Sequence, residues 1–159
     1  MKKSSKGFSL IELLIVVAII LIIAAIAIPN LVRSRIAANQ ASAVGSLRTL
    51  NTSEITYSST YNVGFTATMS YLGPPTGATP NSTAAGLIDS VLANGSKSGY
   101  NFTYTAGGAD SSGRINTYSF IAIPITSSTG TNYYYTDQSG VIRQNSTTTA
   151  GSTDSPIAG

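Results

Sequence analysis

A chain of 159 residues with a formal charge of +3 has room for one modest core, and only 9% of its residues are charged against 42% apolar. With a mean hydropathy of +0.17, part of it is expected to meet lipid rather than water. The lack of cysteine excludes disulfides and thiolate chemistry, and the lack of histidine removes the commonest general base and the commonest metal ligand.

Lys2, Lys3 and Lys6 fall within the first seven residues, and beyond them six cations face six acids. The isoelectric point near 9.3 therefore reflects a short leading segment, and the body offers no basic face that would draw a nucleic acid. From Phe8 to Ile28 run 21 residues in which only Ser9 and Glu12 are polar. At about 1.5 Å per residue a helix of that length crosses a bilayer core of about 30 Å. The lysines ahead of it place the N-terminus in the cytoplasm and the body on the far side. Two simpler readings exist: a secretory signal peptide, with Ala25 and Ala27 as the small residues of its cleavage site, and a plain membrane anchor. Neither accounts for Glu12, because an ionised carboxylate in hydrocarbon costs several kcal/mol.

The stretch Lys6-Gly7-Phe8-Ser9-Leu10-Ile11-Glu12 and the apolar run behind it resemble the N-terminal signature of type IV pilins and the related pseudopilins. The resemblance is specific over residues 6 to about 35 and general beyond. It implies a leader over residues 1–7, cut between Gly7 and Phe8 by a prepilin peptidase that then methylates the new Phe8 amine. Cleavage supplies what the acid lacks. A new ammonium group at Phe8 lies four residues before Glu12 on the same helical face, and pairing the Glu12 carboxylate with the Phe8 amine of a neighbouring subunit offsets their joint desolvation. The family is thought to use its matching glutamate in this way; an intramolecular pair is the alternative. Pro29 removes a backbone donor and crowds the carbonyl four residues earlier, so the helix is expected to kink or loosen over residues 25–29. The resemblance adds that this segment melts on assembly.

Residues 29–57 read as an amphipathic continuation of the same helix, with Ile36, Ala43, Val44, Leu47, Leu50 and the Ile55/Tyr57 region on one stripe. Arg33 and Arg35 suit either an interfacial position or contact with acidic groups. Residues 58–145 form the expected head. The stretch 58–83 reads as a connecting loop with at most a short strand, and 84–93 as a short helix ended by Asn94-Gly95. Tyr100, Phe102 and Tyr104 alternate with polar residues as in a half-buried strand. A second strand is expected over 114–125, with Tyr118, Phe120 and Ala122 on one face. Residues 132–137 and 140–144 read as a hairpin about Gln138-Ser139, and 146–159 as a flexible polar tail. The fold class is therefore α+β, a long N-terminal helix packed on an antiparallel sheet of three to four strands, which agrees with the pilin resemblance.

The expected function is that of a structural subunit, stored as a single-pass inner-membrane protein and polymerised as a homo-oligomer into an extracellular type IV pilus. A type II secretion pseudopilin in a periplasmic filament is the alternative. Either would have lipid, the peptidase and an assembly machinery as partners. No catalytic residue and no cofactor is expected: the six acids are scattered at 12, 54, 89, 110, 137 and 154, without a recognised nucleophile geometry. Asp137-Gln138-Ser139-Gly140 resembles a turn that holds calcium in some pseudopilins, yet it offers one carboxylate. The triplets beginning at Asn81, Asn101 and Asn145 leave glycan attachment open.

Overall fold

A computed structural model describes residues 7–77 and 79–157. Most of the expected leader, residues 1–6, and the last two residues of the expected tail lie outside them. Internal contacts divide the chain into two compact units that meet between Arg35 and Ile36.

Helix α1 spans Leu10–Tyr61. In the first unit it is apolar all round, and every Phe, Leu, Ile and Val from Phe8 to Val32 is exposed. A helix without a polar face is soluble only when lipid or other helices surround it. The helix continues through Pro29.

In the second unit α1 becomes one wall of a core. Ala43, Leu47, Leu50 and Tyr57 recur at steps of four, three and seven and are buried, in company with the polar Ser46, Asn51, Ser53 and Glu54. The expected stripe needs one correction: Ile55 is 60% exposed, because two positions before Tyr57 is the opposite side of a helix with 3.6 residues per turn. The helix also runs one turn beyond the expected end, to a stop where Asn62 and Gly64 take positive φ.

Against this wall lies a five-stranded antiparallel meander. Its strands β1 (Ser96–Lys97), β2 (Tyr100–Ala106), β3 (Tyr118–Pro124), β4 (Tyr133–Asp137) and β5 (Arg143–Asn145) are neighbours in sequence order. The two-residue alternation sends Tyr100 and Phe102, Tyr118, Phe120 and Ala122, and Tyr134 and Thr136 to the buried face. Register places Tyr104 opposite Phe120 and Phe120 opposite Thr136. The three to four strands expected become five because the two-residue β1 escapes periodicity, while β5 falls in the second arm of the expected hairpin. β1 joins β2 through Ser98 and Gly99, both at positive φ, the geometry of a tight hairpin turn. β3 starts at Tyr118 instead of residue 114; Ile115 bridges Gly64 and Ala109 outside the sheet.

Two further expectations are corrected. Helix α2 covers only Ser90–Ala93, since Asp89 caps its first turn by accepting from the Leu92 amide at 2.9 Å. Residues 85–88 instead run beside a 3-10 turn at Met69–Leu72, with Leu87 and Ile88 amides donating to the Leu72 carbonyl. Residues 146–157 are no free tail. They fold back on β5, with Ala150 buried, the Gln144 amide donating to Ser155 and the Ile157 amide to Ile142. This return covers the outer edge of the sheet, which would otherwise present unpaired backbone groups.

Candidate functional site

Gly7 and Phe8 precede the helix, and Phe8 is 82% exposed, so the bond between them lies in accessible, non-helical chain. Ser9 opens α1. Its carbonyl accepts from the Leu13 amide at 3.2 Å and its hydroxyl from the Ile11 amide at 3.4 Å. Its own amide donates to Glu12 Oε2 at 2.9 Å. Ser9-Leu10-Ile11-Glu12 is thus a capping box, in which the acid three residues on satisfies an otherwise orphaned donor at the helix start. The arrangement holds the Glu12 carboxylate toward Phe8. The four-residue signal was present in the sequence, but the role of Ser9 in it was not anticipated.

Beyond Glu12 the apolar run is long enough to cross a membrane. Arg33 and Arg35 follow, both exposed. Among the described residues, no group of three His, Cys, Asp or Glu side chains could hold a metal ion. Each acid of the head has a local task. Asp89, which caps α2, also meets Lys97 at 2.8 Å, and that hydrogen bond holds its carboxyl below the usual range. Asp110 closes the β2–β3 loop by accepting from the Ser112 hydroxyl and amide, the Arg114 amide and the Asn116 amide group, which drive its proton affinity down. Asp137 accepts from the Ser139 amide at 2.9 Å and the Tyr135 hydroxyl at 3.3 Å, so its oxygens serve the β4–β5 turn considered above for calcium. Asp154 accepts from Asn145 and from the Gly151 amide. Only Glu54 is wholly buried, a position the sequence reading did not single out.

An apolar helix that ends in a capped carboxylate and leads into an α+β head is a pilin-like architecture. Residues 2–28 match the family described as the prokaryotic N-terminal methylation motif. It is also 62% identical over 37 residues to the type IV wide pilus major component PilA4 of Thermus thermophilus. That likeness covers 23% of this chain and 28% of the relative. No solved structure matches the chain.

Proposed function

We propose that this protein is a structural subunit of a type IV pilus, and the uncovered apolar segment from Phe8 to Val32 with its single carboxylate carries the reading. Seventeen exposed Phe, Leu, Ile and Val side chains between Phe8 and Val32, sixteen of them on α1, favour first a bilayer and then a bundle of identical helices. A Glu12 buried in either setting needs a cation. In this reading a prepilin peptidase cuts between Gly7 and Phe8 and methylates the Phe8 amine. Glu12 of one subunit then pairs with the Phe8 amine of its neighbour, which favours lateral assembly over dispersal in lipid. Methylation leaves the charge in place. The segment before Pro29 supplies local give when the helix moves from bilayer to filament. The subunit waits in the inner membrane with its N-terminus cytoplasmic, and the head faces outward in the finished fibre. The pilus named for the Thermus relative supports a surface fibre over the short periplasmic filament of a secretion system.

Mass spectrometry of material sheared from cells tests this. The expected product starts at Phe8 and is one methyl group heavier than its sequence. A product starting at Met1, or a diffusible one starting at or beyond Ile28, overturns the processing. Loss of protein export on deletion, with surface fibres intact, assigns the subunit to a secretion filament instead.

A further inference from the structure

Glu54 sits in the core of the second unit at 0% exposure, without a cation in reach. The only ion pair among the described residues is Lys97–Asp89. Both Glu54 oxygens instead engage one residue of the connection that follows α1: Oε2 accepts from the Thr66 amide at 3.0 Å and Oε1 meets the Thr66 hydroxyl at 2.6 Å. Thr66 is itself wholly buried, and its carbonyl accepts from the Tyr104 hydroxyl at 2.6 Å. The titratable groups facing the carboxyl are phenols: Tyr57 from α1, Tyr104 from β2 and Tyr118 from β3. The further charge felt at Tyr118 is Asp137, also an acid. Nothing around Glu54 compensates a negative charge except hydrogen bonds.

We propose that Glu54 is a proton-operated latch that fastens residues 62–68 to α1, tight when the carboxyl is neutral and looser when it ionises. The neutral form fits without rearrangement, because the Thr66 hydroxyl can turn and accept the carboxyl proton. The ionised form keeps two donors but has lost water, and the least costly relief is for the connection to lift and admit solvent. What lifts with it is specific. Gly64 bridges Ile115 so closely that a Cβ there would strike the Ile115 backbone, and the Phe65 ring packs edge-on against Tyr118 at 4.6 Å. Opening this connection therefore unseats the lead-in to β3.

The direction of the linkage follows from burial. Desolvation raises the Glu54 proton affinity, opposed by the hydrogen bonds from Thr66 and Tyr104. A group with a raised folded value stabilises the closed form fully below the ordinary carboxyl value, and that contribution is lost as pH climbs to the folded value. Over this window the opening constant rises by up to about tenfold per pH unit, and above it the constant levels off.

Hydrogen exchange of the amides of residues 64–66 in the detergent-solubilised full chain, corrected for the intrinsic pH dependence, tests the latch. The wild type is expected to open more as pH rises, whereas Glu54→Gln stays closed with a flat profile. Parallel profiles for the two proteins overturn the proposal, as does a Gln variant that is less protected at every pH. Should that variant fail to fold, infrared spectroscopy of the wild type decides. A protonated-carboxyl band that persists above the ordinary carboxyl range supports the latch, and its disappearance within that range refutes it.

Discussion

The Ser9 amide donates to the Glu12 carboxylate at 2.9 Å, so the acid proposed to bind a neighbouring amine already has a task within its own helix. The two duties separate by substitution. Glu12→Gln keeps a carbonyl oxygen for the Ser9 amide but carries no charge, whereas Glu12→Ala loses both. Pairing with the Phe8 amine predicts that both variants assemble poorly, by at least about tenfold for the loss of a partnered charge worth more than about 1.4 kcal/mol. Capping alone predicts that Gln assembles almost normally and Ala does not. The yield of sheared fibre relative to cell-bound subunit is the measurement.

Asn51 joins helix and sheet in the same core that holds Glu54. Its Nδ2 donates to the Thr136 hydroxyl at 2.8 Å and its Oδ1 accepts from the Tyr118 hydroxyl at 3.1 Å. The Thr136 hydroxyl in turn donates to the Val141 carbonyl at 3.1 Å. Asn51→Leu strands a buried phenol and should cost about 1–3 kcal/mol, seen as a lower denaturation midpoint. The double variant Asn51→Leu with Tyr118→Phe should recover part of that loss, because the orphaned hydroxyl goes with it.

Asp154 organises the C-terminal return. Its side chain accepts from Asn145 at 2.9 Å and from the Gly151 amide at 2.8 Å, and its carbonyl accepts from the Arg143 guanidinium at 2.8 Å. Asp154→Ala removes the two side-chain bonds and should cost about 1–2 kcal/mol, localised to this segment. Limited proteolysis should then trim residues 146–157 while the rest of the head resists. Resistance equal to that of the wild type would mean that backbone pairing with β5 holds the segment unaided.

These elements differ in how openly the chain announces them. The Gly7 to Glu12 signature, the apolar run and the alternation of Tyr100, Phe102 and Tyr104 are local patterns, legible because each needs only its own neighbours. The return of residues 146–157 was not legible: it has no apolar period, and Ser and Thr tracts resemble a mobile tail until Asp154 finds Asn145 across the turn. Glu54 was hidden for a related reason. A charged residue on an amphipathic helix reads as solvent-facing, and only the connection after Tyr61, folding back with Thr66, makes the inward position tolerable. β1 was missed because its two residues show no alternation, although the Ser98-Gly99 turn beside them is a hairpin signal.

Pro29 offers a test of how the helix responds to assembly. α1 is continuous through this residue, yet proline donates no hydrogen bond, so the carbonyl four residues earlier, that of Ala25, has lost its regular partner. In a bilayer that helix costs little to keep, since melting would expose several backbone groups to hydrocarbon. Within a fibre, contacts with neighbours and water at the fibre wall can satisfy those groups, which makes loosening over residues 25–29 affordable only after assembly. Hydrogen exchange over that segment should therefore be faster in purified fibres than in detergent-held subunits. Pro29→Ala restores the donor and favours the helix by up to about 3 kcal/mol, so it should abolish the difference. Equal exchange in both states of the wild type would mean that the helix keeps its form and that Pro29 merely marks a bend.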